Sequence, residues 1–147
     1  MVTRAVLLDT DVFSALYVTP RDLALKQGHP VDDWTDVVTG YRVLISFQTR
    51  AEILFGAYYA GWGEQRLGPM RERLDATPTI DEDRDVVEAF AQLTSECRKS
   101  GHALAAKEHT GDRWIAACAI AKDLPLLAKD GIYVNAPGLI HLGAASG

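Results

Sequence analysis

Cysteine is scarce in this chain: Cys97 and Cys118 are the two, each within a helix-like apolar pattern and with no CxxC pair. That argues against a disulfide framework or a thiolate zinc site and predicts reduced core thiols. The histidines, His29, His102, His109 and His141, form no HxxxH pattern, so ligands for an imidazole zinc centre are missing too; His109, just ahead of Asp112, is the one placed to lie near an acid. No apolar run approaches the roughly 20 residues that span a bilayer, and 5–8 is too short for a signal-peptide core, so a cytoplasmic protein is expected. A basic excess is also lacking. The formal charge is -5, which argues against a protein that coats nucleic acid. It does not exclude a nuclease, because carboxylates that hold metal ions are counted in that total.

What is present is one domain's worth of globular sequence, 147 residues with 48% hydrophobic and 24% charged, enough to bury a core without staples. The reading is a single domain over 1–142 and a short tail, 143–147, that frays. Strand-like runs at 4–8, 41–46 (YRVLIS), 77–80 (TPTI), 126–131 (LLAKDG) and 139–142 (LIHL) alternate with helical patterns. The helices are expected at 11–17, from an N-cap at Thr19 with Pro20 first until Gly28 and Pro30 stop it, and at 47–61 after the N-cap Ser46. Further helices are expected at 64–74, at 83–99 before the C-cap Gly101, and from an N-cap at Thr110 until Pro125. In 47–61 the recurring Phe47, Ala51, Leu54 and Tyr58 suggest a mostly buried helix; in 83–99 the inward face reads as Val86, Val87, Phe90, Ala91, Thr94 and Cys97. The alternation predicts an α/β fold, a parallel sheet covered by helices.

In such sheets ligands bind beyond the carboxyl ends of the strands. Asp9 follows the first strand directly, in "LLDTDV", and Asp130 follows "LLA" by two residues. Glu52 lies in the helix after the second strand, and Asp112 in the first turn of the helix opened by "HTG". Each has a plainer reading: Asp9 as a polar strand end, Glu52 on a polar stripe with Gln48 and Arg50, Asp112 as a first-turn acid facing the helix dipole, Asp130 as a turn residue beside Gly131. Together they bring four acids from four elements toward one edge. Converging carboxylates repel unless a hard cation such as Mg²⁺ or Mn²⁺ is held among them.

Two families share the opening motif. DxDx at Asp9 and Asp11 resembles haloacid-dehalogenase-like phosphatases, in which the first Asp is a nucleophile; here Phe13 departs from that motif, and Ala116 stands where the second acid of "GDxxxD" belongs. The chain also resembles PIN-domain ribonucleases, in particular the VapC toxins of toxin–antitoxin pairs. That resemblance rests on Asp9 in "LLDTDVFSAL", Glu52 in "SFQTRAEILFGA", and Asp112 and Asp130 in "TGDRWIAACAIAKDLPLLAKD", in order along the whole length. Many relatives have Asn or Ser at the position of Asp11.

The resemblance implies a three-layer α/β/α sandwich and a Mg²⁺- or Mn²⁺-dependent endoribonuclease with Asp9, Glu52, Asp112 and Asp130 as its catalytic and metal-holding acids. Thr10, Asp11, Ser46 and Thr110 are candidates for the surrounding hydrogen bonds, and Arg50, Arg113 and Lys129 for RNA contact. The implied partners are RNA, a VapB-like antitoxin and a second copy of the chain. Trp114 reads as core rather than a base-stacking platform, and Tyr58, Tyr59 and Trp62 form a candidate protein-contact cluster. Two rival readings are a phosphatase with Asp9 as nucleophile and a non-catalytic module that binds RNA or protein.

Overall fold

The computed structural model describes residues 4–143; of the expected tail, 143–147, residues 144–147 lie outside them. Among the described residues, five strands form one parallel sheet in the order β3-β2-β1-β4-β5. They are β1 (Arg4–Leu8), β2 (Tyr41–Ser46), β3 (Thr79–Ile80), β4 (Leu126–Leu127) and β5 (His141–Leu142). The helices are α1 (Thr10–Tyr17), α2 (Arg21–Lys26), α3 (Val31–Val38), α4 (Phe47–Tyr59), α5 (Glu64–Ala76), α6 (Arg84–Ser100) and α7 (Thr110–Ala121).

Strand alternation splits the core into two layers. Val6 and Leu8 of β1 pack with Phe13, Trp34, Ile53 and Leu74 from α1, α3, α4 and α5. Leu7 points the other way, onto Val86, Leu93, Ile115 and Cys118 of α6 and α7. β4 repeats the division, Leu126 joining one cluster and Leu127 the other. A sheet so buried on both faces is the middle of a three-layer α/β/α sandwich. Both thiols are free and buried, and burial pushes that of Cys118 up to about 12.

Several local expectations are corrected. The helix after the first loop begins at Arg21 with Pro20 as its N-cap residue, because Thr19 turns its hydroxyl to Ser14, 3.2 Å away. Past Pro30 the chain forms α3, which the sequence reading passed over; Trp34 at its centre is fully buried. The inward stripe of α4 is Thr49, Ile53 and Ala57, leaving Ala51 and Tyr58 exposed. On α6 the buried set is Val86, Ala89, Leu93 and Cys97, so Val87 and Ala91 face outward. In both helices a second apolar stripe lies about 100° round from the first, and packing against the sheet selects between them.

Candidate active site

The sheet order reverses at β1: β2 lies on one side, and β4, reached after the crossover through α6 and α7, on the other. A crevice opens there at the carboxyl ends of the strands. Asp9 is fixed in it through its backbone, its N–H donating to Leu127 O at 3.0 Å and its carbonyl accepting from Phe13 N at 3.0 Å as α1 begins. The residue is 6% exposed.

Glu52 reaches the same region through a chain of hydroxyls. Ser46, at the end of β2, caps α4 by accepting from Thr49 N at 3.0 Å. The Thr49 hydroxyl lies 3.0 Å from that of Thr10, tying α4 to α1. One turn on, Gln48 Nε2 donates to Glu52 Oε2 at 2.8 Å. Gly111 in the first turn of α7 makes room for this pair: a Cβ there would stand 2.8 Å from Gln48 Nε2 and 3.1 Å from Glu52 Oε2. The missing side chain leaves Gln48 and Glu52 in their observed places beside the first turn of α7.

Asp112 is held at both oxygens. His109 Nδ1 lies 2.9 Å from Oδ2, and the Tyr133 hydroxyl lies 3.2 Å from Oδ1. The same hydroxyl lies 3.2 Å from Asp9 Oδ1. Burial pushes the Asp9 carboxyl up to about 7; a backbone hydrogen bond at Thr10 works against this, and the charges of Asp11, Asp112 and Glu52 add to it. The Tyr133 phenol is pushed upward by burial first and by Asp9 and Asp112 next, so it keeps its proton and remains a donor.

The donors that converge here are hard carboxylate oxygens, the chemistry that suits Mg²⁺ or Mn²⁺ rather than zinc. Asp9 is made costly to ionise by its burial first and by the acids around it next, a cost that a cation would offset. Among the described residues no three His, Cys, Asp or Glu side chains enclose an ion by themselves. Magnesium accepts such a setting, because it keeps several waters and takes one or two carboxylates together with phosphate oxygens.

The other sequence candidates are placed differently. Asp11 is exposed, and its charge bears on Asp9. Asp130 is exposed, and its Oδ1 accepts from Ile132 N at 3.0 Å, capping a short 3-10 turn, Gly131–Tyr133; the structure does not bring its carboxylate into the group. Thr110 is the first residue of α7 rather than its cap, and its hydroxyl donates to Lys107 O at 2.6 Å. Arg113, a candidate for RNA contact, is buried; its Nη1 donates to Leu104 O and Ala106 O at 2.7 and 2.8 Å, so its charge holds the loop before α7. Arg50 is bound to Leu74 O and paired with Asp75, joining α4 to the end of α5. Lys129 is exposed, with Nζ 3.0 Å from Gly28 O. Trp114 stacks on Phe90 at 3.8 Å and is packing, as the sequence suggested.

Tyr133, Gln48, Thr49 and Gly111 were not singled out in the sequence. The signal for Gly111 was its place between a cap and an acid; for Tyr133 it was its spacing of three residues beyond Asp130, one turn of a 3-10 helix.

The model of the PIN domain family matches residues 6–139. No curated protein matches the chain. Among solved structures, VapBC2 from Rickettsia felis bound to a DNA fragment from its promoter is similar with a TM-score of 0.72 at 19% identity, covering 95% of this chain and 98% of that one. FitAcB from Neisseria gonorrhoeae gives 0.70 at 21%, covering 95% and 97%. VapBC-5 from Mycobacterium tuberculosis, a member of the VapBC family of toxin-antitoxin systems, gives 0.65 at 24%, covering 95% and 98%. With the family model spanning nearly the whole described chain, over the same sheet and the same crevice, the chain belongs to the PIN domain family.

Proposed function

We propose that the chain is a Mg²⁺- or Mn²⁺-dependent endoribonuclease that acts as the toxin of a toxin–antitoxin pair. The observation that carries this is Asp9: a buried carboxyl at the sheet's switch point, lifted to about 7 by burial and by Glu52, Asp112 and Asp11, in an all-oxygen donor set. Two of the similar solved structures, a toxin–antitoxin complex from Klebsiella pneumoniae and VapBC-5 of the VapBC family of toxin–antitoxin systems, support the biological role.

Asp9, Glu52 and Asp112 would hold the metal, while Asp130, the fourth acid of the sequence reading, caps the turn at Ile132. When bound, the metal supplies positive charge for the scissile phosphate and lowers the pKa of a water. The chain's own residues do the positioning. Gln48 orients Glu52, His109 and Tyr133 orient Asp112, and the Thr10–Thr49 pair fixes α4 against α1. An acid with a free oxygen facing the phosphate can accept the proton of the attacking water, and no covalent intermediate is needed.

The partners of this reading are RNA, a VapB-like antitoxin and a second copy of the chain. With Arg113 buried and Arg50 paired, Lys129 is the sequence-named cation left nearest to solvent. Phe55, Tyr58 and Tyr59 expose 66%, 56% and 84% of their surface along α4, an aromatic face suited to a protein partner. The phosphatase alternative is weakened because Ala116, at the place of its second acid, is fully buried.

Expression in a bacterial host tests the toxin role. Wild-type chain is expected to arrest growth and Asp9→Asn to leave it normal, with arrest relieved by co-expression of a small antitoxin from the neighbouring reading frame. Equal growth with both chains, at equal protein levels, would count against the toxin reading.

A further inference from the structure

We propose that Tyr133 is a positioning residue: its hydroxyl fixes Asp9 against Asp112, and Asp130 acts through it by holding the turn that carries it. The inference rests on the metal-dependent reading above and assigns what two residues of that site do.

The Tyr133 ring is fully buried within the α6–α7 side of the core, where a phenylalanine ring would fill the same space. What tyrosine adds is one hydroxyl, which is costly to bury unless bonded. Its two neighbours at bonding distance are the Oδ1 atoms of Asp9 and Asp112, both at 3.2 Å. These acids come from opposite ends of the chain, one after β1 and one on α7. With its single proton shared between the two Oδ1 atoms, this neutral hydroxyl offsets their repulsion without placing a fixed positive charge where a cation would bind.

The hydroxyl is held to that position from both sides of its turn. Ahead of it, Asp130 Oδ1 accepts from Ile132 N at 3.0 Å, and Val134 N closes the turn on Gly131 O at 3.1 Å. Behind it, His102 Nδ1 accepts from Leu104 N at 3.0 Å, which leaves Nε2 carrying the proton it donates to Val134 O at 2.8 Å. Asp112 is meanwhile pinned through its other oxygen by His109. Tyr133 therefore connects a fixed acid to Asp9, and the exposed Asp130 influences the site by capping this turn rather than by pointing into it.

Loss of a group that orients metal ligands typically costs about 10- to 100-fold in metal affinity. The test is Mn²⁺ binding measured by calorimetry on the full chain, which requires no turnover. Tyr133→Phe is expected to weaken Mn²⁺ by about 10-fold or more. Asp130→Ala should weaken it in the same direction, and Asp130→Asn, which keeps an oxygen to cap Ile132, should restore most of the loss. Tyr133→Phe binding as tightly as wild type, or more tightly, overturns the inference and leaves the metal reading standing. Failure of wild type itself to bind Mn²⁺ removes the metal reading and the inference with it. A measurement on wild type alone covers the case in which a variant does not fold. The near-ultraviolet tyrosine spectrum should shift on adding Mg²⁺, saturating with binding, because Tyr133 is the tyrosine in contact with the acids; binding without any tyrosine shift would overturn the proposal.

Discussion

A carboxyl that is 6% exposed and faces Asp11, Glu52 and Asp112 costs free energy whenever it is ionised in the folded chain. The ordinary Asp value is 3.8 and the folded one about 7. Between those values the unfolded chain releases its proton while the folded chain keeps it, so metal-free stability falls as pH rises and stays low above about 7. The difference is at most about 4 kcal/mol. Urea unfolding in chelator should give a higher midpoint near pH 5 than near pH 8 by this mechanism, flattened in Asp9→Asn; Mg²⁺ should restore the midpoint at the higher pH. A wild-type profile as flat as that of Asp9→Asn would sink this account of the acid. At Gly111 the argument is steric. Alanine normally helps a helix by about 1 kcal/mol over glycine, yet here its Cβ would press on Gln48 and Glu52. Gly111→Ala should keep the melting temperature within a few degrees while lowering cleavage at least about tenfold; unchanged cleavage would mean that Glu52 does not need its observed place.

Elements explain why these residues meet, and also how much of the meeting was legible in the sequence. β1 and β2 have the bounds their β-branched and aliphatic runs indicate, and Ser46 caps α4 as its type and place suggest. Those three features alone set Asp9 and Glu52 on one edge. The buried face of α4 was not legible, because Phe47, Ala51, Leu54 and Tyr58 are as helically spaced as the stripe that the sheet selects. Asp130 read as a site acid from its position after β4, but its carboxylate meets a backbone N–H before it can meet the other acids. Tyr133 could not be ranked without the turn that folds it back over α7. The role of the cap is testable: Ser46→Ala removes a buried partner of Thr49 N and Thr49 Oγ1 and should cost about 1 to 2 kcal/mol in urea unfolding. It should also lower activity more than that loss of stability explains, since the cap sets the register of Glu52; a loss of stability with full activity would separate the helix end from the site.

At the scale of the molecule, an acidic chain is proposed to cut an acidic substrate. Of the three basic residues read as RNA contacts, Arg113 is internal and Arg50 is paired, which leaves Lys129; on the proposed reading a cation held at the acids would add positive charge for the RNA backbone. On that reading the divalent ion would serve both binding and chemistry, and metal removal is the most direct test of the central claim. Purified wild-type chain should cleave a single-stranded RNA in Mg²⁺ or Mn²⁺, stop in excess chelator, resume when the ion is returned, and be inactive as Asp9→Asn. Cleavage that continues undiminished in excess chelator would contradict the account.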